Sequence, residues 1–271
     1  MKRSVFMISD GTGITVESLG SSLLTQFEML EFEKQVYPFI DSMQKAEQLC
    51  AKINVCYEDT ANKPLVFMTL VNPELCDVIK QSNACVLDLF DTFLAPLETE
   101  LGMKASDTVG RAHAVADDER YTLRIDAVNY ALAHDDGIKI KGYDHADIIL
   151  IGVSRCGKTP SCLYMALQFG VFAANYPFTD EDLSGYRLPD VLRPYKDKLF
   201  GLTIDPQRLQ HIRTERRPNT RYSSPEQCRR EVKDVELMYK NEGIPYINST
   251  SFSIEEIATK VMSIVKIDRK I

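Results

Sequence analysis

The stretch "IILIGVSRCGKTPSCLYMALQFG", residues 148–170, decides how the rest of the chain is read. An apolar run from Ile148 to Ile151 leads into Gly152-Val153-Ser154-Arg155-Cys156-Gly157-Lys158-Thr159, and a helix-forming run follows. These eight residues fit G-x-x-x-x-G-K-[ST], a strand–loop–helix pattern that cradles nucleotide phosphates. Gly152 and Gly157 let the backbone curl so that successive N–H groups can face phosphate oxygens. The helix after the loop adds unpaired N–H groups and the positive end of its dipole. Lys158 brings a mobile positive charge, and the Thr159 hydroxyl is suited to holding Mg²⁺. Pro160 is tolerated because an N–H in the first helical turn has no partner inside the helix. Arg155 is either a further cation for phosphate or a solvent-facing residue. The expected phosphate-binding set is therefore Gly152, Val153, Ser154, Arg155, Cys156, Gly157, Lys158 and Thr159.

Composition limits what surrounds this loop. The chain has 271 residues, enough for one large domain or two ordinary ones. Apolar residues make up 44% and charged residues 26%, as in ordinary globular proteins. The net charge of −7 argues against a dedicated nucleic-acid binder. No run approaches the ~18 apolar residues of a membrane span, and the apolar run near the start is too short for a signal peptide. Cysteines 50, 56, 76, 85, 156, 162 and 228 show no metal-ligand spacing and read as reduced thiols of a cytoplasmic protein.

Along the chain, "SVFMIS", "KQVYPFI", "PLVFMTL" and "ACVLDLF" read as strands separated by helical runs. That alternation implies crossover units and a mostly parallel sheet. The expected fold class is α/β, with an N-terminal mostly parallel domain over 1–105 and a C-terminal P-loop kinase-like domain over 147–271. Residues 106–146 are read as a connector plus a helix carrying "HDDG". Polar and small residues fill 102–119, and Tyr121, Ile125, Val128 and Leu132 then recur at helical spacing. In the second domain "VFAANYPF", "KLFGLTID" and "PYINST" are further strands. Ser224 with Gln227 and Ser253 with Glu256 mark two helix starts as capping boxes. No internal repeat is visible.

Three further clusters carry possible chemistry. Arg208, Arg213, Arg216, Arg217 and Arg221 concentrate positive charge in an acidic chain. Arginines closing over a transferring phosphoryl group bind its oxygens with a planar fork, and Arg216 and Arg217 are the candidates taken forward. A solvated helix face with surface pairs, to Glu215 for instance, is the plain alternative. Asp205 either orients a metal-bound water or caps the helix that Pro206 begins. In "HDDG", Asp135 or Asp136 could orient a hydroxyl and take its proton, or bind the metal. The plain alternative is a helix end with solvated acids. "ISDGTGIT" is a glycine turn after a strand, where an open parallel sheet places ligand groups such as Asp10, Thr12 and Thr15. By itself it reads as a tight turn.

Taken together, "ISDGTGIT", "LAHDDGI", "ILIGVSRCGKTP", "QFGVFAANYPF", "LFGLTIDPQRL" and "INSTSFSIEEIATK" resemble the bacterial phosphoenolpyruvate synthase regulatory protein family over nearly the whole chain. The resemblance implies a bifunctional enzyme. It implies that ADP, not ATP, is the donor that phosphorylates a threonine on phosphoenolpyruvate synthase and inactivates it. It implies that inorganic phosphate removes that phosphate again and leaves as pyrophosphate. Lys158, Asp135, Asp136, Arg216 and Arg217 are then the candidate catalytic residues, with ADP, inorganic phosphate and Mg²⁺ in the site. A sister family acts on pyruvate, phosphate dikinase, and its loop usually has Thr-Ser where this chain has Cys156-Gly157. The synthase-directed pattern is the one followed here. A small-metabolite P-loop kinase and a nucleotide-gated binding protein without catalysis are the competing classes. A homodimer is left open.

Overall fold

The computed structural model describes residues 2–60, 62–106 and 118–271. The chain divides into two compact units, Met1–Ala114 and Val115–Ile271. The connector read over 102–119 lies mostly outside the described residues.

The first unit alternates strand and helix: β1 (Lys2–Ser9), α1 (Ile14–Leu24), β2 (Glu31–Tyr37), α2 (Met43–Thr60), β3 (Leu65–Thr69), α3 (Pro73–Lys80), β4 (Cys85–Asp88) and α4 (Leu89–Leu101). Its sheet runs β2-β1-β3-β4, and all neighbours are parallel. Successive side chains of β1 serve opposite faces, which is why its buried run Val5–Ile8 is continuously apolar. Phe6 and Ile8 pack with Leu49, Ile53 and Ile79 on one side, while Val5 and Met7 pack with Val16 and Leu24 on the other. Asp10 ties the turn after β1 to the turn after β3, its Oδ2 accepting the Val71 N–H at 2.8 Å. A cleft of about 580 Å³ opens at these strand ends, between the 10–15 turn and the start of α4.

The second unit contains α5 (Asp118–Ala133), β5 (Ile148–Gly152), α6 (Lys158–Phe169), β6 (Ala173–Pro177), α7 (Asp180–Leu183), β7 (Leu199–Thr203), α8 (Pro206–Arg216), α9 (Pro225–Glu242), β8 (Tyr246–Asn248) and α10 (Ile254–Val265). Its parallel sheet is ordered β6-β5-β7-β8. The α/β class is therefore correct, with two all-parallel four-stranded sheets. The two units also share one strand order: the first strand lies between the second and third, and the fourth is outermost. This repeat of topology has no counterpart in the residues, so the sequence showed none.

The helix read from residues 121–132 is present as α5, and one capping box changes. In α5 the spaced residues Tyr121, Ile125 and Leu132 are exposed, and Ala127 and Ala131 form the buried face against Ala166 of α6. Small side chains let the two helices approach closely, and this outweighs the apolar periodicity. Ser224 does cap α9 by accepting the Gln227 N–H, but Gln227 does not return the bond. Its Nε2 donates instead to Asp180 at 2.6 Å and to Glu231 at 2.8 Å. The capping box of Ser253 and Glu256 at α10 is complete.

Candidate functional site

β5 is the strand that delivers the loop, and all five of its residues are buried. At its end Gly152 has φ 152°, and a Cβ there would lie 2.4 Å from the Leu202 carbonyl oxygen on β7. Only glycine lets the chain leave the sheet at this point. Arg155 at φ 77° and Gly157 at φ 96° are left-handed, so the segment curls back before α6 starts. Gly157 has no side chain to cap α6, which leaves the N–H groups of its first turn without a side-chain partner.

The loop carbonyls are held from outside. The Gly152 carbonyl accepts the Phe178 N–H at 3.0 Å. Val153 O accepts Lys158 Nζ at 2.8 Å, Ser154 O accepts Arg213 Nη2 at 3.2 Å, and Cys156 O accepts Ser249 Oγ at 2.9 Å. In a trans peptide the carbonyl and the following N–H point in opposite directions. Fixing these carbonyls therefore turns the N–H groups of Ser154, Arg155 and Gly157 the other way. Lys158 is buried, 4% exposed, and its ammonium rests on the loop's own backbone. Tyr239, buried beneath, donates to Ile151 O at 2.9 Å and to Leu202 O at 3.2 Å, bridging β5 and β7. Burial holds its phenol well above the ordinary value of 10, with Cys156 and Glu236 adding to it, so it remains a donor.

The acid turn follows α5 directly. Asp135 Oδ1 accepts the Thr159 hydroxyl at 2.8 Å and also the Asn175 amide. Asp136 is exposed in a left-handed conformation at φ 52°, its N–H donating to Asn175 Oδ1 at 3.1 Å. The structure thus brings Asp135 and Thr159 together and leaves the Asp136 carboxylate pointing to solvent beside them. His134 belongs to the packing: its ring stacks on Tyr130 at 4.0 Å. Thr159 and Asp135 offer hard oxygen donors, the type Mg²⁺ takes. Among the described residues no cluster of three or more His, Cys, Asp or Glu could hold a metal by itself. A cation here would share its shell with phosphate oxygens and water, as Mg²⁺ commonly does.

The arginines separate into two groups. Arg216 and Arg217 close α8 with exposed side chains. Arg213, one turn earlier, is 1% exposed and pairs with Glu231 on α9 through Nη1 at 3.2 Å and Nη2 at 2.7 Å. It also stacks on Tyr222, with 4.3 Å from Cζ to the ring centre. Burial pulls the Arg213 guanidinium down, but the bonds and charge of Glu231 outweigh this and hold it above its ordinary value. Arg221 and Arg230 both reach Asp180 at 3.2 Å. Ser154, Asp180, Arg213, Arg221, Tyr222 and Gln227 border a concavity of about 260 Å³ next to the loop. Asp205 is a helix cap, its Oδ1 accepting the N–H groups of Gln207 and Arg208 at 2.9 Å each.

Asn175 and Glu231 complete the arrangement, and no motif pointed to either. Their signals were a lone amide in the apolar strand "VFAANYPF" and an acid on the face of α9 that carries Cys228, Val232 and Val235. A buried polar group needs a partner.

A parallel sheet whose central strand ends in a glycine–lysine loop, with an acid–threonine pair against it, suits phosphoryl transfer. The family model described as kinase/pyrophosphorylase matches residues 5–262. The chain belongs to this family of phosphotransferases. A protein of Legionella pneumophila (strain Lens), named "Putative phosphoenolpyruvate synthase regulatory protein", is 66% identical over 271 residues and the full length of both chains. Proteins with the same name from Hahella chejuensis and Pseudomonas fluorescens are 54% and 53% identical, covering all of this chain and at least 99% of each relative.

Proposed function

We propose that this chain phosphorylates a threonine of phosphoenolpyruvate synthase from ADP and removes the phosphate again with inorganic phosphate. The observation that carries the reading is the single ring formed by Thr159, Asp135 and Asn175 at the start of α6, with the Asp136 carboxylate left over beside it. The N–H groups of the 152–159 loop and Lys158 would hold the α- and β-phosphates of ADP. Thr159 would hold Mg²⁺, which when bound neutralises phosphate charge. Asp136 would take the threonine proton as the hydroxyl oxygen bonds to the β-phosphorus and AMP departs. In the other direction an oxygen of inorganic phosphate bonds to the phosphothreonine phosphorus. The threonine oxygen then leaves, regaining its proton from Asp136, and the product is pyrophosphate. Arg216 and Arg217, exposed at the end of α8, would close over the phosphoryl group. One positioned phosphoryl site then serves both directions. The relatives' printed name supports the synthase as target. No helix among the described residues is long and apolar enough to cross a membrane, which is compatible with a cytoplasmic protein substrate.

The test incubates the chain with β-labelled ADP and purified phosphoenolpyruvate synthase, with pyruvate, phosphate dikinase in a parallel arm. Label on a synthase threonine, AMP as coproduct, and loss of both directions in Lys158→Ala are expected. ATP as the better donor, or free phosphate in place of pyrophosphate, would refute the reading. Turnover without a protein acceptor would indicate a metabolite kinase. Inhibition of the synthase without label would indicate a docking inhibitor.

A further inference from the structure

Asn175 is 1% exposed, and every polar atom it has is used at the site. Its backbone N–H donates to His134 O at 3.2 Å, and its carbonyl accepts the Tyr143 hydroxyl at 2.9 Å. Its side-chain oxygen accepts the Asp136 N–H at 3.1 Å. Its Nδ2 donates to Asp135 Oδ1 and lies 3.4 Å from Thr159 Oγ1. The surroundings fix the orientation of the amide. A flipped amide would set its oxygen against a carboxylate and its NH₂ against an N–H.

The placement has a structural cause. On one side β6 pairs with β5 at Leu150↔Asn175, two residues before the loop. On the other side no further strand lies among the described residues, and the acid turn fills that edge through the bond from Asn175 to His134. One side chain therefore spans the acid turn and the start of α6. An asparagine needed only for packing would not require both an acceptor for one acid's N–H and a donor to the other acid's carboxylate.

We infer that Asn175 is a positioning residue that sets Asp135 as the acceptor for the Thr159 hydroxyl. With its hydroxyl hydrogen donated to Asp135, Thr159 keeps its oxygen as an acceptor, which a cation shared with phosphate would need. Holding Asp136 by its N–H fixes the backbone of the second acid, and among the described residues no group engages that carboxylate. The inference rests on the proposed function only in placing Mg²⁺ and ADP at this loop.

The test measures ADP affinity by calorimetry in the wild type and in Asn175→Ala, with Mg²⁺ and with EDTA, alongside thermal unfolding and turnover. ADP affinity in EDTA should change little, because the loop is held by Lys158, Arg213 and Ser249. The gain in affinity from Mg²⁺, and turnover in both directions, should each fall by about 10–100-fold, as for groups that orient a metal ligand. A purely structural asparagine would lower the unfolding temperature and leave the Mg²⁺ gain intact, and that result would overturn the inference. Should Asn175→Ala fail to fold, Asn175→Asp is compared with the exchange variant Asp135→Asn/Asn175→Asp, which restores one amide facing one carboxylate. The exchange variant should regain at least about 10-fold of the Mg²⁺ gain lost in Asn175→Asp. Recovery of unfolding temperature alone counts against positioning. A wild type that binds ADP with a Mg²⁺ gain but transfers nothing to a protein refutes the proposed function and leaves Asn175 decided by binding. A wild type without any Mg²⁺ gain overturns the inference directly.

Discussion

Replacing Arg213 by alanine should destabilise the second unit more than any other single arginine change. Arg213 and Glu231 have side chains 1% and 11% exposed, so the pair is out of water. Removing the guanidinium leaves the Glu231 carboxylate with the Gln227 amide as its remaining side-chain donor, at 2.8 Å. It also strips the donor from Ser154 O and Tyr222 O and unstacks the Tyr222 ring. Breaking one side of such a buried pair costs about 3–5 kcal/mol. A unit of this size shifts by roughly 2–4 °C per kcal/mol, which gives an expected drop of about 6–20 °C in Tm. Arg216→Ala and Arg217→Ala, at exposed sites, should stay within about 0.5 kcal/mol of wild type. The discriminating variant is Arg213→Met/Glu231→Met, which removes both charges together. Its stability should return to near the wild-type value, since buried ion pairs contribute little over apolar replacements. Its loop nevertheless lacks the donor to Ser154 O, so ADP affinity should remain reduced. Circular dichroism melts and calorimetric ADP titrations separate the two effects. An Arg213→Ala melt within 1–2 °C of wild type would refute the reasoning, as would a double variant that recovers stability and ADP affinity together.

Gly152→Ala should unfold at lower denaturant. Its Cβ would sit 2.4 Å from Leu202 O, and the φ of 152° alone carries a cost of about 1–3 kcal/mol in a residue with a side chain. A urea midpoint equal to wild type would contradict this. Glu242 is held below its ordinary value of 4.5 by the Lys196 hydrogen bond, then the Leu188 N–H. Its carboxylate is favoured in the folded state, so its contribution is present above pH 4.5 and fades as pH falls through the lowered folded value. Glu242→Gln should therefore narrow the stability difference between neutral and acid pH, and parallel pH–stability curves for the two proteins would count against it.

The fold class was legible because parallel strands buried on both faces leave continuous apolar runs, as in "SVFMIS" and "IILIGV". The loop was legible because its glycines are dictated by backbone conformation, and Gly152 and Gly157 both adopt positive φ. What escaped reading depends on contacts between distant segments. Asn175 lies 40 residues from Asp135, and Arg213 lies 59 residues from Ser154. Nothing in local spacing records such pairings. The arginine cluster was visible as charge, but burial distinguishes Arg213 from Arg216 and Arg217, and burial depends on how α8 packs against α9. The helical spacing of Tyr121, Ile125, Val128 and Leu132 did mark a helix, α5, but not its buried face, where Ala127 and Ala131 meet Ala166 of α6 with Val128 packed beside them.

The pinned carbonyls of the 152–159 loop have a consequence for hydrogen exchange. Among the described residues none accepts a hydrogen bond from the N–H groups of Ser154, Arg155 or Gly157. Without such bonds their protons would exchange with solvent faster than those of the flanking β5 and α6, although Arg213, Lys158 and Ser249 hold the loop's carbonyls. Exchange rate and mobility are therefore uncoupled in this segment. Protection appearing there when phosphate is added would count new hydrogen bonds one by one, with little ordering of the chain behind it. The entropy lost by this loop on capturing an anion would be correspondingly small.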